Sequence, residues 1–266
     1  MSAVGALTRA AWFQARSYRL SLVMQAGGLL MTIVPLYFVA NALQPTMEQA
    51  IARESAQFFG FILVGSLGLM FAMFALTGLQ GAVASGISNG YLESLLMTRA
   101  SLPSVLVGLT SYGLILTAIR ATVGLVAGWL LGAQIAWGNF IPALLILALL
   151  VIAHWGIGLV GTALVIAFRT SGPLTAIVTT VSVFFGGVYY PVTAIPSWLG
   201  AIAKATPLAY GLQALRRVVL QGEGITAVGP EVAILAAMGV FALAIGTISM
   251  SFALRYARRA GTLGSY

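Results

Sequence analysis

The ionisable and nucleophilic inventory of this chain is small enough to test chemistry by chemistry. Lys204 is the only lysine and Ala203 precedes it, so no Gly-Lys-Ser/Thr is present to cradle a nucleotide phosphate. His154 is the only histidine, and aspartate and cysteine are absent. A Ser-His-Asp triad, a histidine-rich metal site, a disulfide and a thiolate metal site are therefore excluded. The Gly-x-Ser-Gly motif of an intramembrane serine protease does not occur. The five carboxylates are Glu48, Glu54, Glu93, Glu223 and Glu231, all in predicted loops or at the ends of apolar runs. Ion-coupled carriers place carboxylates within the membrane to bind protons or sodium. Their absence there argues against such a carrier, although backbone carbonyls also bind sodium. If the chain moves something uphill, the energy is expected to come from a partner subunit.

Two ionisable residues do fall inside apolar runs. Arg120 lies well within the third run. An arginine at the bilayer centre costs at least about 2.5 kcal/mol on insertion scales, which directs it to a bundle interior or a wet cavity. There it would contact an anionic head group, phosphate or carboxylate; the alternative is a tilted helix from which the side chain snorkels. His154, beside Trp155, has no carboxylate near it in sequence and reads as a neutral hydrogen-bonding residue between helices rather than a proton shuttle. Arg216 and Arg217 have two open readings, lipid phosphate or a dimer mate.

The elements that position these residues are membrane helices. Of the 266 residues, 60 % are hydrophobic and 7 % charged, with mean hydropathy +1.03. A water-facing surface needs more charge than that, so lipid is the solvent. Apolar runs of spanning length, roughly 20 residues, are predicted at 20–43, 58–79, within 103–132, at 140–168, 174–190 and 232–254. A single membrane domain, 1–266, is expected, with no separate soluble domain and no cleavable signal peptide. Residues 1–22 read as an N-terminal interfacial helix, with Arg9, Arg16, Arg19 and Trp12 on one side and Leu7, Ala11, Tyr18 and Leu22 on the other. An ordinary basic flank before the first span is the alternative.

The net charge of +8 is spread over span ends and is not a nucleic-acid footprint. Eight arginines, among them Arg99, Arg169 and Arg255, fall on the side of the termini, which the positive-inside rule makes cytoplasmic. Residues 80–101 are then cytoplasmic and 191–230 lie outside. Gly124, Gly128 and Gly132 recur every four residues and, with Gly186 and Gly187, are expected to pack helices closely. Tyr189, Tyr190 and Trp198 fit an outer aromatic belt, with a place on the exit path as second choice.

Two segments between spans carry more information. Leu92, Leu95 and Leu96 make an apolar stripe flanked by Glu93, suited to docking in a groove of a soluble partner. The stretch from Gly186 is too apolar for a free loop. Pro191, Pro196 and Pro207 divide it into helix-length pieces, read as two short helices that dip into the outer leaflet and return. Re-entrant pieces must be buried in protein or line a cavity.

Taken together and in this order, the two segments resemble the type-2 ABC exporter permease family. The coupling segment resembles Leu92-Glu93-x-Leu95-Leu96-x-Thr98, with Arg99 where the family usually has proline and a proline only at Pro103. The outer signature resembles Tyr190-Pro191-x-x-x-x-Pro196-x-Trp198-Leu199, then Pro207-Leu208 and Arg216. The resemblance implies an all-α integral membrane protein of six transmembrane helices, with a cytoplasmic coupling helix and a re-entrant outer helical segment between spans five and six. It implies a transport subunit, not an enzyme, in a bacterial inner membrane with both termini cytoplasmic. Its partners would be a second permease copy or a related permease and a P-loop ATPase, with ATP and magnesium on that ATPase and no cofactor on this chain. Leu92, Glu93, Leu95, Leu96 and Thr98 would contact the ATPase. Pro191, Pro196, Trp198, Leu199, Pro207 and Arg216 would form an outer gate, and Arg120, Tyr189 and Tyr190 would line the path of a lipid, hydrophobic drug or lipid-linked glycan. A stand-alone channel, scramblase or carrier is the competing expectation, and a membrane anchor for other proteins is a third.

Overall fold

A computed structural model describes residues 19–90, 102–168, 170 and 172–259. The interfacial-helix segment up to residue 18 and the coupling segment at 92–98 lie outside the described residues. All regular structure among the described residues is helical. The helices are α1 (Arg19–Ile51), α2 (Phe58–Ser88), α3 (Leu102–Leu130), α4 (Phe140–Phe168), α5 (Gly172–Phe185), α6 (Gly200–Lys204), α7 (Pro207–Leu220) and α8 (Gly229–Arg259). Short 3-10 turns occur at Trp137–Asn139 and Val192–Ala194.

Five helices, α1 to α4 and α8, are long and apolar enough to cross a membrane, and the chain is a multi-pass membrane protein. The run predicted as a fifth span, 174–190, forms only the 14-residue α5. At 1.5 Å per residue α5 is about 21 Å long, short of the roughly 30 Å of a hydrocarbon core. The reason is local: Gly187 has φ +73°, a left-handed conformation that ends the helix and turns the chain. Other helices overrun their predicted bounds. The second continues to Ser88, so the first nine residues of the 80–101 region extend that helix rather than forming a loop. The first continues through Pro35 and Pro45 to Ile51.

The bundle is organised around α2. Of its most apolar 18-residue window 72 % is buried, against 11 % for α1 and 17 % for α8. It contributes to three apolar clusters. Leu63, Leu67 and Phe71 meet Ile33 of α1 and Ala121 of α3. Val64 and Ala72 meet Leu150 of α4 and Leu208 and Leu212 of α7. Leu79 and Val83 meet Leu159 and Ile166 of α4 and Met250 and Ala257 of α8.

Glycines let these helices approach. A Cβ on Gly158 would lie 2.7 Å from the Ala75 carbonyl oxygen, so α2 and α4 touch backbone to backbone. A Cβ on Gly156 would lie 2.5 Å from the Ala242 carbonyl carbon, so α4 meets α8 in the same way. Of the glycines expected to pack helices, Gly124 does so, a Cβ there lying 2.8 Å from Leu67, and Gly128 sits against Leu63. Gly132 does not: nothing lies within 4 Å of its would-be Cβ, and its φ of +97° closes α3 with the Ala133 amide donating to the Gly128 carbonyl.

Three connections meet at one end of the bundle: 52–57, 131–139 and 186–228. The Gln57 side chain accepts from the Gln134 amide, Gln221 donates to the Ala52 carbonyl, and the Ala136 amide donates to Val219. This end is a knitted cap rather than a set of free loops.

Candidate functional site

The segment from Gly186 to Gln221 folds as the Val192–Ala194 turn, α6 and α7. Pro207 opens α7 at its first turn, where the missing N–H costs nothing. The apolar face of α7 (Leu208, Leu212, Leu215, Val218) is buried, and Arg216 is buried with it, at 1 % exposure. Its guanidinium is fully engaged. One nitrogen donates to the Glu54 carboxylate at 2.9 Å, another to the Gly187 and Val188 carbonyls at 2.8 and 2.9 Å, and Nε to the Phe61 carbonyl at 3.0 Å. It also stacks 3.4 Å over the Phe61 ring. Desolvation pushes this arginine down to about 10 and Glu54 opposes the shift, so it stays charged at neutral pH.

For Arg216 both open readings are thereby corrected. Arg216 faces neither lipid nor a second chain, and it is not on an accessible gate surface; it pins the end of α5 to α2, α7 and the first connection. Arg217 pairs within the chain as well, with Glu231 at 2.8 Å and Glu223 at 2.6 Å, at a half-wet surface. Glu54, an unremarked loop carboxylate in the sequence, is the residue that reading missed; no local spacing connects it to position 216.

The opposite part of α5 is held by a second polar contact. The Thr175 hydroxyl donates to Gln80 Oε1 at 2.8 Å, and the Gln80 amide donates to the Leu76 carbonyl. Between these anchors α5 is loosely covered, with Ser182 its one buried residue.

Next to α5, the end of the helix and the following turn frame an apolar groove of about 550 Å³. Its walls are Phe184, Phe185, Tyr190, Ile195, Pro196 and Leu199. The Tyr190 hydroxyl donates to the Phe184 carbonyl. Tyr190, Pro196 and Leu199 of the expected outer signature are therefore brought together. Trp198 is not: it is 78 % exposed. Tyr189 is exposed beside the groove, and Pro191 caps the Val192–Ala194 turn. Gly186 fits against Leu208, where a Cβ would come within 2.6 Å.

Arg120 sits on α3, apart from these residues, partly buried with its Nε lacking a hydrogen-bond partner among the described residues. His154 is fully buried on α4 with Nδ1 2.9 Å from the Leu150 carbonyl, as a helix-packing residue would be.

The exposed side of α2 is chemically unlike the other membrane surfaces. Its exposed residues are Thr77, Gly81, Ala84, Ser85 and Ser88, which fall on one helical face. None is a large hydrophobe. By contrast α1 exposes Met31, Val34 and Phe38, and α8 exposes Val240, Phe241, Ile248 and Phe252.

No curated protein matches the chain. The model of one family does, that described as ABC-2 type transporter, over residues 2–220, which takes in α1 to α7 and the groove. With multiple apolar spans, no nucleotide-phosphate motif of its own and this match over most of its length, the chain belongs to the ABC-2 type transporter family.

Proposed function

We propose that this protein is the membrane subunit of an ATP-driven exporter, carrying a lipid, hydrophobic drug or lipid-linked glycan and powered by a separate P-loop ATPase. The observation that carries this reading is the exposed strip Thr77, Gly81, Ala84, Ser85 and Ser88 on an otherwise buried apolar helix. A strip of small and hydroxyl-bearing residues gains nothing from facing lipid tails, while large side chains cover the lipid-facing surfaces of α1 and α8. It suits a face turned to a translocation path or to a second copy across it. Gln80 and Thr175 keep α5 beside this strip, so α2 and α5 together would form the wall. The knitted cap is then the outer end, the termini are cytoplasmic in a bacterial inner membrane, and α5 with the turn after it acts as the sixth span. Residues 92–98 would carry the contact to the ATPase, through Glu93 and the leucines. Arg120 and Tyr189 remain candidates for contact with an anionic or polar part of the cargo.

Affinity purification of the chain from its native membrane in mild detergent tests the coupling. A stoichiometric P-loop ATPase is expected, and it should be lost when Glu93 is replaced by Ala and Leu96 by Asp. A homo-oligomer without ATPase, active in liposomes without nucleotide, would replace the exporter with a stand-alone channel or scramblase.

A further inference from the structure

We infer that the groove between the end of α5 and residues 190–199 is a binding site for one acyl chain of a bilayer phospholipid. The inference rests on the membrane placement of this end of the bundle and is independent of ATP coupling.

Depth points to an acyl chain rather than a head group. A 14-residue helix rises about 21 Å. Starting from the opposite membrane face, it ends within a hydrocarbon core of roughly 30 Å. Phe184 and Phe185 close that helix, so the groove they wall lies at the level of lipid tails. Irregular backbone at that level must have its polar groups satisfied internally. Much of it is held that way: the Gly186 amide donates to Ser182, the Gly187 and Val188 carbonyls accept from Arg216, and the Ile195 and Leu199 amides donate to Val192 and Pro196. The Tyr190 hydroxyl is spent on the Phe184 carbonyl. What faces the groove is mostly carbon, from Phe184, Phe185, Ile195, Pro196 and Leu199.

A space of about 550 Å³ with such walls offers water few partners. It falls within the range of small-molecule sites, about 300–1,000 Å³. The apolar surface also continues outward through Phe184 at 56 %, Trp198 at 78 % and Ile202 at 39 % exposure, so a chain entering the groove stays in contact with the surrounding lipid. The Arg216 clamp fixes the corner behind the groove, which keeps the walls apart when a chain leaves.

The full chain in nanodiscs of phosphatidylethanolamine and phosphatidylglycerol, doped with a phospholipid bearing a photoreactive acyl chain, tests this. Crosslinks mapped by mass spectrometry are expected to concentrate on residues 184–199. Filling the groove by Ile195→Trp, or separately by Leu199→Trp, should lower that labelling about tenfold, the loss produced by about 1.4 kcal/mol. Ile177→Trp, on the exposed side of α5 outside the groove, should leave it unchanged. Labelling spread evenly over α1, α8 and residues 184–199 in the unmodified chain would overturn the proposal, as would undiminished labelling in both groove variants. Because the chain has no native cysteine, Leu199→Cys gives a clean further arm. Efficient disulfide formation between two copies at that position would mean that a second chain, not lipid, covers the groove.

Discussion

Arg216 and Glu54, 162 positions apart in the chain, form a 2.9 Å ion pair inside the protein, with 2 % and 10 % of their side chains exposed. The pair closes a ring that no single element could close: the first connection, the start of α2, the end of α5 and the face of α7. A charge so buried is tolerable because each nitrogen of the guanidinium has an acceptor and one of the acceptors is a carboxylate. Its effect is to fix geometry at the end of α5, a short helix with little packing of its own.

Breaking that pair from one side strands the other charge. Arg216→Leu or Glu54→Leu is expected to destabilise the fold by about 3–5 kcal/mol. The double variant should lose clearly less than the sum of the two. Thermal unfolding in detergent, followed by size-exclusion fluorescence, measures this. Strictly additive losses would mean that the two residues act independently.

The neighbouring arginine provides the contrast. Arg217 pairs with Glu223 and Glu231 where its side chain is 20 % exposed, so solvent screens the interaction. Arg217→Ala should cost no more than about 1 kcal/mol. A loss equal to that of Arg216→Leu in the same unfolding assay would contradict the assignment of the two roles.

Gly65 faces the same arginine from α2. A Cβ there would lie 2.5 Å from the Arg216 Nη2 and 2.5 Å from the Val188 carbonyl oxygen. Gly65→Ala is therefore expected to push the guanidinium or the turn aside and destabilise by about 1–3 kcal/mol, as overpacking does. Gly81→Ala is the control, because a Cβ at Gly81 meets nothing within 4 Å. Equal melting temperatures for the two variants would argue that the cap yields easily around Arg216.

The inner anchor of α5 predicts a local effect. Thr175→Val removes the hydrogen bond to Gln80 and leaves a buried amide oxygen without that donor, a loss of about 1–3 kcal/mol. Hydrogen exchange in α5 should rise while α2 and α4 remain protected. Uniform deprotection of the whole bundle would show that the contact supports the fold globally instead.

The exposed strip of α2 predicts a pattern of reagent access. In the cysteine-free background, Ser85→Cys and Gly81→Cys should react with a small membrane-impermeant maleimide from one side of the membrane. Val240→Cys and Ile248→Cys, on the lipid-facing side of α8, should not. Reaction at all four, or at none, would remove the reason for placing a path along α2.

Composition and hydropathy settled the class by themselves. So little charge in so long a chain leaves lipid as the only solvent for its surface, and the lone lysine and the missing aspartate exclude nucleotide and triad chemistry whatever the fold. Proline spacing after Tyr190 likewise marked a structured connection, because Pro207 acts through its own ring on its own helix turn. The tertiary structure decided what depends on distant partners. Glu54 is only a loop carboxylate until α7 brings Arg216 to it. Gly132 shares a four-residue spacing with Gly124 and Gly128, yet a left-handed φ makes it a helix terminator. The shortness of α5 follows from a turn at Gly187 that hydropathy averages over. The face of α2 that escapes both core and large side chains was hidden for the same reason: periodicity shows which residues share a face, and only packing shows which face is left uncovered.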